Sequence, residues 1–161
     1  MQTKRILIIA SEFNKNICAS LVEGAKRACT AGGITAKNIT VIWVPGAFEI
    51  PTAIAAGAES KKWDAILSIG CVIKGETAHF EYISSAVSQQ IAALGVKYQI
   101  PITFGVLTTY TLEQALARSG LLSVGVADES PQAKHKHENK GEEAAEAALA
   151  MIKTLQYIRE A

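Results

Sequence analysis

The sequence predicts an α/β protein, a three-layer α/β/α sandwich around a central four-stranded parallel sheet. Two observations carry this. Short apolar runs rich in isoleucine and valine alternate with longer stretches of helical periodicity, the pattern of parallel strands joined by crossover helices. The clusters of unusual residues, Ser11 to Asn14, Pro45 to Glu49, Gly70 to His79 and Thr108-Thr109, each fall just after an apolar run. In open parallel sheets, ligands sit beyond the carboxyl ends of the strands.

The elements follow in order. Arg5 to Ala10 is a buried strand. Asn16 to Ala31 is helical, with Ile17, Leu21, Ala25 and Ala28 on one face, and Gly32-Gly33 stops it. Ile39 to Val44 is the second strand. Pro45-Gly46 turns the chain into a helix from Phe48 to Ser60, with Pro51 tolerable in its first turn. Ala65 to Cys71 is the third strand. Phe80 to Gly95 is a helix whose stripe is Ile83, Val87, Ile91 and Leu94. Ile102 to Leu107 is the fourth strand, Leu112 to Arg118 a short helix capped by Thr111, and Gly141 to Glu160 a long alanine-rich helix. Crossovers are expected to be right-handed. Leu121 to Glu138 breaks the rhythm and is long for a loop in a compact domain. It contains His135, His137 and Glu138, but an H-x-H without a third placed ligand is a weak metal signal, and the stretch reads as a solvated loop.

Composition sets bounds. A chain of 161 residues fits one domain, residues 1–161, with a real core. With 49% apolar and 19% charged residues it is no disordered chain, and its charge-poor surface hints at subunit contacts. A net charge of +1 gives no electrostatic case for nucleic acid. Cys18, Cys29 and Cys71 form no C-x-x-C pair and read as reduced thiols of a cytoplasmic protein. The opening MQTKRILIIA reads as the first strand rather than a signal peptide, and no apolar run approaches membrane-spanning length.

The run Gly70 to Glu81, GCVIKGETAHFE, is the richest in chemistry. A strand that ends in a glycine-bearing turn and opens a helix makes an anion site from free backbone N–H groups and the positive end of the helix dipole. His79 stands at its rim, a side chain suited to moving protons near neutral pH. Gly70 and Gly75 have P-loop spacing, but Glu76 occupies the place of the P-loop lysine, which excludes a nucleoside triphosphatase. Taken alone, the stretch also fits a plain strand–helix turn with a solvent-facing histidine.

Read together, the clusters resemble the lumazine synthase family. The matching pieces are Phe13-Asn14, VPGAFEIP at Val44 to Pro51, Gly70 to Glu81, FGVLTT at Phe104 to Thr109, LEQALARSG at Leu112 to Gly120, and NKGEEAA at Asn139 to Ala145. They cover nearly the whole chain in order. The resemblance implies a flavodoxin-like fold and the penultimate step of riboflavin biosynthesis. In that step 5-amino-6-(D-ribitylamino)uracil and 3,4-dihydroxy-2-butanone 4-phosphate condense to 6,7-dimethyl-8-ribityllumazine, with no metal or organic cofactor.

The resemblance also implies roles. Phe13 stacks on the pyrimidine; the polar residues around it argue against a buried segment. Glu49 holds ribityl hydroxyls, although a carboxylate there also suits a helix dipole, and the backbone of Ala47 and Phe48 helps seat the substrate. Cys71, Val72 and Ile73 present backbone groups to the uracil edge. Glu76 and Thr77 meet the phosphate through backbone N–H groups and the threonine hydroxyl, with the Glu76 carboxylate pointing away. Arg118 supplies a planar cation to the phosphate, though an arginine late in a short helix also serves as a dipole partner, and Lys140 adds a second charge. Phe104 closes the pocket from a neighbouring subunit. His79 is the candidate acid/base for amine attack, loss of water, phosphate elimination and ring closure. The expected partners are small-molecule substrates and other copies of the chain, in a pentamer or decamer with sites at subunit interfaces.

Three departures stand out. Only Met1 to Lys4 precede the first core strand, where the family commonly has a further strand. Glu12 stands where the family often has arginine. Leu121 to Glu138 lengthens the link between Arg118 and Lys140, which bears on where Lys140 sits. Some members of the family pack twelve pentamers into a shell, and longer links at this bend go with smaller assemblies, so the expectation is a pentamer or decamer and no shell. A second class of reading is a flavodoxin-like domain that binds a flavin or nucleotide without catalysis; His79 and Arg118 speak against it.

Overall fold

A computed structural model describes residues 1–122 and 139–161. His135, His137 and Glu138 lie outside the described residues. Strands β1 (Ile6–Ser11), β2 (Ile39–Val44), β3 (Ala65–Ile73) and β4 (Ile102–Thr109) form one parallel sheet in the order β2-β1-β3-β4. The described helices are α1 (Lys15–Ala31), α2 (Ile50–Glu59), α3 (His79–Tyr98), α4 (Leu112–Arg118) and α5 (Lys140–Glu160).

The two-residue alternation of the strands divides the core. Ile6, Ile8 and Ala10 of β1 face the layer of α1, α4 and α5, meeting Leu21, Ala115 and Ala148. Leu7 and Ile9 face α2 and α3, meeting Ile54, Val87 and Ile91. Ile6, Ile8 and Ile9 are almost fully buried, each contributing about 1.5–3 kcal/mol of apolar transfer. The expected faces of α1 and α3 are those that pack inward, with Ala28, Ile83 and Leu94 only partly buried.

Element ends differ from the sequence pattern in ways that matter for the site. β3 and β4 each run two residues beyond the ends expected from the sequence, because Val72 and Ile73 pair with Thr108 and Thr109; on β4 the apolar run stops at Leu107 while the ladder, helped by β-branched residues, continues. The second helix begins as a 3-10 turn at Ala47–Glu49 and becomes α2 at Ile50, with Pro51 in its first turn. α3 starts at His79 and ends where Gln99 turns left-handed (φ 53). Thr111 caps α4 as expected, its side chain accepting from the Gln114 N–H.

α1 and α5 cross closely. A Cβ on Gly141 would overlap the carbonyl oxygen of Leu21, and one on Gly24 would overlap the side chain of Asn139. None of the described helices is long and apolar enough to cross a membrane.

Candidate active site

The strand ends build the site from three directions. β1 pairs with β3 only as far as Ala10 opposite Ile69, whereas β3 continues to Ile73. The N–H groups of Ile66 and Lys74 donate towards β4, to Pro101 O (2.9 Å) and Thr109 O (2.9 Å). Alternation along the strand therefore turns the backbone groups of Cys71 and Ile73 the other way, towards the side of β1 and beyond the end of its paired register. The Asn14 side-chain amide donates to Cys71 O at 2.9 Å. Val72 keeps its backbone in the β4 ladder and packs its side chain against the α2–α3 core. Of the three residues expected to show backbone to a heterocycle, Cys71 and Ile73 are the two so turned.

Asn14 sits in the left-handed region (φ 55, ψ 44) just before α1, a conformation asparagine tolerates better than most residues. The Ser11 hydroxyl accepts from Phe13 N–H at 3.1 Å, and this tight turn throws the Phe13 ring outward, 69% exposed. At the adjoining end of β2, Ala47 is buried against α2 and α3 while Phe48 is 61% exposed. Glu49 is exposed, and its Oε2 lies over Gly46, where a Cβ would come within 2.9 Å of it. Two aromatic rings and a carboxylate thus stand free at neighbouring strand ends.

Beyond β3, residues 74–78 form an exposed turn. Glu76 and Thr77 are exposed within it, and a Cβ on Gly75 would meet nothing within 4 Å. His79 is the first residue of α3 and is exposed. Ala78 precedes it and offers no side-chain cap, so the first N–H groups of α3 face outward as donors. Lys74 Nζ reaches back to Glu81 Oε1 at 2.9 Å and ties the strand end to the first turn of the helix. Their hydrogen bond holds the Lys74 ammonium above its ordinary pKa and the Glu81 carboxyl below its own. Both side chains are well exposed, so the pair shapes the turn more than it stabilises the fold. Lys74 also lies over the Tyr110 ring (5.6 Å), which in turn stands beside Phe80 (6.1 Å between centroids).

The third direction is the outer side of β4. An open cavity of about 780 Å³ is lined there by Phe104, Thr108, Arg118, Lys140 and Glu143 among others. Phe104 is 46% exposed. Lys140 Nζ is held by Glu143 at 2.6 and 2.7 Å. The structure thus brings Arg118 and Lys140 to one cavity despite the long link between them. Phe13, Phe48, Glu49, Ile73, Thr77 and His79 are not among the described residues lining that cavity.

The three cysteines are free and buried. Burial first, and Cys71 second, push Cys18 up to about 12. Burial pushes Cys29 and Cys71 up to about 11. Cys18 and Cys29 are core packing groups, as their helical positions predict, and the Cys18 thiol also donates to Phe13 O at 3.4 Å. No cluster of three or more metal-binding side chains occurs among the described residues. Two residues with no role assigned from the sequence do shape the site, Asn14 and Asn139. Both are asparagines directly before a helix, and that position was the available signal.

Over residues 3–156 the sequence matches the family described as 6,7-dimethyl-8-ribityllumazine synthase. A relative from Sodalis glossinidius (strain morsitans), described as 6,7-dimethyl-8-ribityllumazine synthase, is 43% identical over 156 residues, which cover 96% of this chain and 91% of the relative.

Proposed function

This chain belongs to the 6,7-dimethyl-8-ribityllumazine synthase family, and from that premise we propose how its two half-sites perform the reaction. The enzyme is a transferase of riboflavin biosynthesis. It condenses 5-amino-6-(D-ribitylamino)uracil with 3,4-dihydroxy-2-butanone 4-phosphate to 6,7-dimethyl-8-ribityllumazine. One observation carries the assignment of roles: β3 runs past its paired register with β1 to Ile73 and leads directly into the exposed turn at residues 74–78 and to His79 at the head of α3.

The pyrimidine lies along that end of β3, read by the backbone of Cys71 and Ile73 and stacked on Phe13. Offset stacking contributes about 0.5–1.5 kcal/mol beyond burial. Glu49 takes the ribityl hydroxyls, beside Ala47 and Phe48. The phosphate of the second substrate meets the Thr77 hydroxyl and the backbone N–H groups around Glu76 at the head of α3. His79 accepts the proton that the 5-amino nitrogen releases as it adds to the ketone and hands it to the carbonyl oxygen, and the nitrogen's second proton follows the same route as the resulting hydroxyl leaves as water and an imine forms. Phosphate is then eliminated, and the ribityl-bearing nitrogen closes the ring with loss of a second water. The amine and ketone are already reactive, so holding them together supplies much of the acceleration.

Arg118, Lys140 and Phe104 complete the site from a neighbouring copy. This reading is supported by the open cavity on β4, whose described lining holds all three of these residues and not His79. Lys140 shares its charge between Glu143 and the phosphate. The assembly is a pentamer or decamer of identical chains in the cytoplasm. A passive flavin- or nucleotide-binding domain is not favoured, because the family match spans nearly the whole chain. Mixing the protein with both substrates and following lumazine absorbance tests the reading: steady product formation supports it, while binding of the pyrimidine without turnover refutes it.

A further inference from the structure

We propose that Asn139 is a positioning residue for the phosphate half-site, fixing Arg118 and Lys140 relative to one another whatever the length of chain between them. The inference rests on the reading of those two cations as phosphate ligands. Asn139 is 5% exposed. Its amide nitrogen donates to Ser20 O (2.9 Å) and to Ser119 O (2.8 Å), and its Oδ1 accepts from Gly141 N–H (2.9 Å). Ser119 directly follows Arg118, and Gly141 directly follows Lys140. One side chain therefore grips the residue after each cation and ties both to the same turn of α1. The Ser20 hydroxyl adds a second bond to Ser119 O at 2.7 Å.

Helix capping alone does not account for this. The bond to Gly141 N–H is the cap, and serine or aspartate serves that purpose equally well. The two bonds from the amide nitrogen are long-range, and only an amide offers one acceptor and two donors at this reach. The surroundings are shaped for it. A Cβ on Gly24 would collide with the Asn139 amide. Gly120, at φ +75, turns the chain away from α4 in a conformation that disfavours other residues. The cations stand at the cavity rim on two short segments, residues 118–120 and 139–141, pinned to one place on α1.

The test is a comparison of Michaelis constants. Asn139→Ser keeps a capping oxygen for Gly141 and loses both bonds to the carbonyls. Its KM for the butanone phosphate and its Ki for inorganic phosphate should each rise roughly tenfold, the scale of one or two lost hydrogen bonds, with the pyrimidine KM changing far less. Gly24→Ala, which keeps the Asn139 side chain but displaces it, should reproduce that split, and Asn139→Ser should add nothing in an Arg118→Ala background. If Asn139→Ser does not fold, Gly24→Ala and Ser20→Ala carry the test. Equal rises in both KM values, or no change in either, overturn the positioning role and leave the cations as ligands. Unchanged phosphate inhibition in both Arg118→Ala and Lys140→Ala removes the phosphate reading itself, and the inference with it.

Discussion

Gly141→Ala sets local propensity directly against tertiary packing. Alanine is favoured over glycine in a helix by up to about 1 kcal/mol, so the isolated sequence of α5 predicts a gain. The structure predicts a loss. A Cβ at Gly141 would lie well inside 3.0 Å of the Leu21 carbonyl oxygen, and that oxygen belongs to the α1 backbone, which has no rotamer to yield. The first turn of α5 must retreat. Overpacking costs about 1–3 kcal/mol, and the rigid obstacle puts this site at the upper end, for a net loss of about 2 kcal/mol after the propensity gain. At about 2–4 °C per kcal/mol for a chain of this size, Tm should fall by roughly 4–8 °C. Gly95→Ala is the matched control: it lies inside α3, where the nearest atom to an added Cβ is 3.9 Å away, and it should stabilise by about 0.5–1 kcal/mol. Both are read by thermal unfolding followed by far-ultraviolet circular dichroism. If Gly141→Ala is as stable as the parent, or gains as Gly95→Ala does, the close crossing of α1 and α5 is wrong, and with it the pinning of Lys140.

Other expectations follow from the same geometry. His79→Ala should lower kcat by about 10²-fold, the low end for acid/base catalysis, with pyrimidine affinity in equilibrium binding nearly unchanged; an unaltered kcat takes His79 out of the mechanism. The buried thiols hold their protons up to about 11–12, against 9.0 for the ordinary group. Their contribution to stability is therefore complete below pH 9 and declines as pH rises from there towards 11, by about 1.4 kcal/mol per pH unit for each thiol. Guanidinium unfolding midpoints at pH 8 and pH 10 check this, and equal midpoints refute it. Light scattering should give a pentamer or decamer, whereas a shell-sized particle rules out that assembly.

The sequence by itself determined the class of fold and which residue clusters fall at the strand ends. Period-two and period-3.6 apolar patterns report which face of each segment leaves water, which is enough to assign strands, helices and a parallel sheet. Turn residues then mark the strand ends, and so Phe13, Glu49 and His79 were legible before any coordinates. Tertiary structure decided the rest. The ladder carries β3 to Ile73 and β4 to Thr109, the latter past the point where its apolar run stops. Asn14 reaches a carbonyl 57 residues away and Asn139 one 119 residues away. The gathering of Phe104, Arg118 and Lys140 around one cavity likewise depends on how β4, α4 and α5 meet. These facts escape a local window for one physical reason. Burial is recorded along the chain residue by residue, whereas a hydrogen bond or a close helix crossing belongs to two distant segments, and neither segment alone carries its pattern.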